Sequence, residues 1–224
     1  MKVTTDACFF GALVAEELEP QDNIQMALDI GSGTGLVSLM IAQKLPFLKI
    51  KAIEINEEAA AQAKENIRLS PWSGHIEVIR EDILNYDPTE KFDLIFSNPP
   101  FYEKEWVSPD PRKKQAHHND ELPLSALLER ISKLMEANGQ CWLLLPSKRM
   151  EEAKRLIAFQ GLQIKKMVLL KNFREKDPIR IIFQLIKKKD PAEEPTKIEY
   201  CIFQQQGAYT PEFIRLLQPY YLKL

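Results

Sequence analysis

Between Gln25 and Pro146 short apolar runs take turns with amphipathic stretches, and this alternation most limits the folds open to the chain. The runs QMALDI, KIKAIEI, IEVIRED, FDLIFS and GQCWLLLP have the length and composition of strands. Between them GLVSLMIAQKL, EEAAAQAKENIRL and LSALLERISKLM repeat apolar residues at helical spacing. Such an order predicts an α/β fold with a doubly wound, mostly parallel sheet. Beyond Pro146 a helix near KRMEEAKRLIAFQ precedes LQIKKMVLL and IRIIFQLIKKK, two strands joined by a short polar connection. That spacing predicts an antiparallel closing pair, giving seven strands in all. DPAEEPTK reads as a surface loop and TPEFIRLLQPYY as a final short helix.

The 224 residues, 45% of them hydrophobic, can bury one substantial core, so a single domain over 1–224 is expected, with 190–224 as a C-terminal extension. Cys8, Cys141 and Cys201 lie far apart with no CxxC pair, which argues against a metal centre or a disulfide framework and for buried thiols in a reducing compartment. No apolar run reaches 18 residues, and MKVTTDACFFGALVAEELEP lacks both a clean apolar signal region and a small-residue cleavage site. A soluble cytoplasmic monomer with no membrane contact is the expectation. The net charge of −2 conceals an asymmetry: residues 148–189 hold 13 Lys and Arg against 4 Asp and Glu, whereas residues 1–147 hold 14 against 23. This excess permits an anionic partner, although a solvated face would also account for it.

The first chemical motif is LDIGSGTG, in which Asp29, Gly31, Gly33 and Gly35 follow a strand and open a helix. Glycines there allow a sharp turn and a close backbone approach to a ligand, and a helix N-terminus favours an anionic group. The spacing is G-x-G-x-G with an acidic residue two positions ahead, not the G-x-G-x-x-G of dinucleotide sites. Glu54, 23 positions after Gly31 at the end of the second strand, can accept both hydroxyls of a ribose, and Asp82 after the third strand can hold an adenine amino group.

This ordered set resembles the class I S-adenosylmethionine-dependent methyltransferases, whose fold is Rossmann-like. The resemblance implies S-adenosylmethionine as cofactor and S-adenosylhomocysteine as product, with no metal. It implies that Gly31, Gly33 and Gly35 border the methionine part, Glu54 holds the ribose, Asp82 and Ile83 contact the adenine, and residues 1–22, with Thr5 and Asp6, cap the cofactor.

In a sheet of strand order 3-2-1-4-5 the first and fourth strands are neighbours at the switch point, so Asn98-Pro99-Pro100-Phe101 would face the glycine loop. Those four residues suit a planar amino group, whose delocalised lone pair makes it a poor nucleophile. If the Asn98 side-chain oxygen and the Pro99 carbonyl accept its N–H hydrogens, they favour the pyramidal, positively charged transition state. Proline fixes its own φ, and Phe101 can stack on a flat base.

N/D-P-P-Y/F/W marks amino-group methyltransferases acting on adenine in nucleic acid, guanine in ribosomal RNA or glutamine in release factors, and the tetrapeptide alone leaves these open. KVTTDACFFGALV, Ser70-Pro71-Trp72 and RKKQAHHNDELPLSALLERISKLMEANGQ together resemble the bacterial enzymes that methylate N6 of adenine 37, next to the anticodon of valine tRNA. Relatives of this kind carry a short segment ahead of the KV-TD stretch, with which this chain starts at Met1, and an ARH-like stretch that reads Ala116-His117-His118 here. The resemblance implies a tRNA partner, whose phosphates Arg112, Lys113 and Lys114, with His117, could grip from the loop after NPPF, although a solvated loop would also account for these residues. A catalytically silent RNA-binding module is the alternative from another class.

Overall fold

The computed structural model describes residues 3–19, 23–100, 122–188, 194–205 and 207–222. The run MALDI forms β1 (Met26–Ile30), with every residue after the first buried, as a strand covered on both faces requires. It is followed by α2 (Leu36–Lys44), β2 (Lys49–Ile53), α3 (Glu57–Arg68), β3 (Ile76–Ile79) and β4 (Phe92–Ser97). Then come α4 (Leu124–Leu134), β5 (Met135–Pro146), α5 (Met150–Phe159), β6 (Leu162–Lys171), β7 (Pro178–Lys187) and β8 (Thr196–Cys201). Ahead of them stands α1 (Thr5–Glu17), and behind them the hairpin β9 (Phe203–Gln205) and β10 (Ala208–Tyr209) and the helix α6 (Pro211–Leu217).

Eight strands form one sheet in the order β3-β2-β1-β4-β5-β7-β6-β8, and β9 and β10 pair separately. The expected 3-2-1-4-5 order and the antiparallel β6–β7 pair are both present. The count of seven is corrected to eight. β8 runs parallel to β6 at the sheet edge, and its side chains are exposed or half-buried, with Lys197 and Glu199 among them. An edge strand carrying charges lacks the apolar signature by which central strands are read.

Alternation along the central strands divides the core between two faces. Leu94 and Phe96 of β4 and Trp142 and Leu144 of β5 join one apolar cluster with α1, α2 and α6. Ile95, Cys141, Leu143 and Leu145 join the other, beneath α4 and α5. Helix α4 earns its place through Leu124, Leu127, Leu128, Ile131 and Leu134, one apolar stripe at helical spacing. Helix α1 is buried without interruption from Cys8 to Ala15, so it is a core element and not a surface flap. The thiols of Cys8 and Cys141 are buried, that of Cys201 half-buried, and burial raises the Cys141 thiol well above its ordinary pKa.

Candidate active site

The parallel strands β1, β2, β4 and β5 end on one edge of the sheet, and the sequence motifs stand there. After Ile30 the chain reverses through Gly31, Gly33 and Gly35, all at positive φ (72°, 57° and 78°). The Gly31 and Ser32 amides both donate to the Ile53 carbonyl, at 2.9 and 3.0 Å, which closes the loop over the end of β2. Two of the glycines face different surroundings. A Cβ on Gly35 would meet Ile67 Cδ1 at 3.3 Å, whereas a Cβ on Gly31 would meet nothing within 4 Å. The first serves helix packing, and the second leaves open space over the loop. Beside it the Ser32 hydroxyl is buried without a hydrogen-bond partner among the described residues.

Glu54 is buried immediately beyond β2, and backbone amides hold both its oxygens: Gly33 N donates to Oε2 at 2.8 Å and Asn56 N to Oε1 at 2.9 Å. Each carboxylate oxygen keeps a second lone pair, enough for one hydroxyl apiece of a vicinal diol. Asp29 takes another role. It is 2% exposed and accepts the Ser38 hydroxyl at 2.7 Å, tying β1 to α2 beneath the loop. Burial raises its carboxyl to about 7, the Ser38 hydrogen bond opposing the rise and the nearby Glu54 charge adding to it. Asp82 closes a turn, accepting Leu84 N at 2.9 Å, and Ile83 is buried in the same cluster as Ile30 and Ile53.

Across the switch point β1 and β4 are clamped at both ends. Near the start Asp93 accepts the Gln25 and Met26 amides at 2.9 and 3.0 Å, and at the functional edge the Ser97 hydroxyl donates to the Ile30 carbonyl at 2.8 Å. Asn98 follows directly, half-buried, with Pro99 buried and Pro100 exposed. The Asn98 side chain makes no hydrogen bond among the described residues.

Thr5 and Asp6 open α1 at this edge. Thr4 caps the helix, and Asp6 accepts from Arg180 Nε at 2.7 Å, where Arg180 stands opposite Pro146 in register. Burial pushes the Asp6 carboxyl up, but the hydrogen bonds from Thr4 and Arg180 prevail and hold it below its ordinary value. Phe101, Arg112, Lys113, Lys114 and His117 lie outside the described residues. Among the described residues no group of three His, Cys, Asp or Glu side chains is placed to hold a metal ion.

The structure also singles out residues that the motifs did not. Ile55, next to Glu54, is 64% exposed, a large apolar side chain open to solvent just beyond β2. Its signal in the sequence is only its place after the acidic residue. Ser97 and Arg180 carried no signal, because a serine closing a strand and an arginine opening one are both ordinary.

Residues 10–148 match the family model described as the methyltransferase small domain. The tRNA1(Val) (adenine(37)-N6)-methyltransferase of Porphyromonas gingivalis is 34% identical over 99% of this chain and 89% of its own length. The protein of that name from Bacteroides fragilis is 36% identical over 100% of this chain and 92% of its own. Among solved structures, one from Agrobacterium tumefaciens named as a predicted O-methyltransferase superposes with a TM-score of 0.73 over 95% of both chains, at 18% identity, a likeness of fold alone. With the glycine loop, Glu54 and Asn98-Pro99-Pro100 gathered on one sheet edge, the chain belongs to the small-domain methyltransferases and, among them, to the family of the tRNA1(Val) (adenine(37)-N6)-methyltransferases.

Proposed function

We propose that the protein transfers the methyl group of S-adenosylmethionine to the exocyclic N6 of adenine 37 in a valine tRNA, releasing S-adenosylhomocysteine. The observation that carries this reading is the clamp at the switch point, where the Ser97 to Ile30 hydrogen bond sets Asn98 beside the glycine loop. The names of the full-length relatives support the choice of acceptor.

The crevice fits the cofactor. Open space over Gly31 and the unpartnered Ser32 hydroxyl suit its methionine part, and Glu54, fixed by two backbone amides, suits the ribose diol. Asp82 and Ile83 with the exposed Ile55 border the place of the adenine. When bound, S-adenosylmethionine supplies a methyl group already activated on a sulfonium cation. The protein's task is therefore to make a poor nucleophile attack. Asn98 Oδ1 and the Pro99 carbonyl accept the two N–H hydrogens of the amine, which favours the tetrahedral nitrogen and its growing positive charge. One of the two protons leaves only after transfer, giving the neutral N-methyl amine, so no side chain has to act as a strong base beforehand.

Incubation with labelled cofactor and, in parallel, the total tRNA, ribosomal RNA and protein of a strain lacking the gene tests the reading. The expected product is N6-methyladenosine in tRNA, absent with Asn98→Ala, whose cofactor binding stays intact. Label in ribosomal RNA guanine or in protein glutamine would overturn the acceptor assignment, and an active Asn98→Ala enzyme the catalytic one.

A further inference from the structure

Five aromatic rings run in a row from the core to the catalytic edge. Phe9 stacks on Phe213 with centroids 5.9 Å apart, Phe213 on Tyr209 at 5.0 Å, Tyr209 on Phe203 at 5.3 Å, and Phe203 meets Phe173 at 5.5 Å. The inner pair, Phe9 and Phe213, is fully buried. The outermost ring, Phe173, is half-exposed and belongs to neither core cluster.

Topology fixes where that outer ring stands. β6 ends at Lys171 and β7 begins at Pro178, so the turn between them rises from the edge on which β4 delivers Asn98. Three strand spacings, about 14 Å, separate β4 from β6. The turn is held from both sides: Lys176 N donates to the Phe173 carbonyl at 3.1 Å, and Phe203 N to the Asn172 carbonyl at 2.9 Å. Arg174 and Lys176 are exposed and form no ion pair among the described residues, whereas Lys171 is engaged by Glu199 at 2.8 Å. Glu175 and Asp177 alternate with them, so the turn itself is neutral, and the attraction for a polyanion comes from the surrounding excess over 148–189.

We propose that this turn is a second RNA contact, in which Phe173 stacks on an unpaired base near the target nucleotide while Arg174 and Lys176 hold the adjoining phosphates. The proposal rests on the tRNA reading above. A base methylated at its exocyclic nitrogen has to leave its stack, which uncovers the faces of its neighbours. A flat ring anchored through a row of rings to the core offers such a face a partner that needs no ordering on binding.

The test uses the full chain and a transcript of the valine tRNA. Phe173→Leu keeps an apolar contact with Phe203 but removes the flat surface, and Phe173→Trp keeps both. The expected result is a KM for tRNA raised roughly tenfold by leucine and restored by tryptophan, with kcat and the KM for cofactor unchanged. Replacing Arg174 and Lys176 together by glutamine should lower the slope of log affinity against log salt by about 1.4. An unchanged KM in Phe173→Leu, with the wild-type enzyme methylating tRNA, overturns the platform and leaves the activity standing. Leucine and tryptophan variants that both show a lower Tm and a raised KM assign Phe173 to packing and overturn it too. A wild-type enzyme that methylates no tRNA overturns the reading beneath both.

Discussion

Two carboxylates beneath the glycine loop, Asp29 and Glu54, look alike in the sequence and are set to different tasks by their surroundings. Asp29 is dry and, with its carboxyl at about 7 against 3.8 for an unfolded aspartate, holds a proton in the folded chain that the unfolded chain has already released. Stability contributed by this residue is therefore present below about pH 4, falls as pH rises towards 7, and is level above. Asp29→Asn keeps an acceptor for the Ser38 hydroxyl and should flatten that slope. Urea midpoints at pH 5 and pH 7.5 measure it, and equal slopes in both proteins would count against a buried, protonated Asp29. Glu54 by contrast has both oxygens occupied by backbone N–H groups. Glu54→Gln turns one acceptor into a donor facing an amide hydrogen, so the dissociation constant for S-adenosylhomocysteine should rise about tenfold or more. Calorimetric titration decides this, and unchanged affinity would remove Glu54 from the cofactor site.

The loop between β1 and α2 joins packing to binding through glycines with distinct duties. Gly35→Ala meets both a left-handed φ of 78° and the Ile67 side chain, and should cost about 2 kcal/mol of stability. Gly31→Ala carries the backbone strain alone and places its methyl in the open crevice, so its larger effect should be on cofactor affinity. Thermal unfolding and titration of the two variants side by side test the division, which fails if both lose the same property. Elements of this kind were legible in the sequence, since MALDI, FDLIFS and the three glycines each carry a local physical reason to fold as they do. β8 was not, because KIEYC places charges on an edge strand. Nor was α1, whose run CFFGALVA is apolar on every side and so shows no helical stripe. At the site, Glu54 and Asn98 could be proposed from spacing and motif, but the clamp by Ser97 and the pairing of Asp6 with Arg180 depend on contacts between residues 67 and 174 positions apart.

Seen as a whole, the molecule draws one edge of its sheet from nearly its entire length, with α1 laid against α6 by the stack of Phe9 on Phe213. Phe213→Ala removes a fully buried ring and should lower the Tm by roughly 10 °C. Activity measured well below that Tm should fall as well, since α1 brings Asp6 to the catalytic edge. A variant with wild-type Tm would show the two helices to be independent. Every residue of the glycine loop and the Asn98-Pro99-Pro100 turn lies in the first 100 positions, yet the ring on which Phe9 rests comes at position 213. The chemical motifs are thus made well before the ring that braces α1, and a chain interrupted between them would carry the motifs without that support.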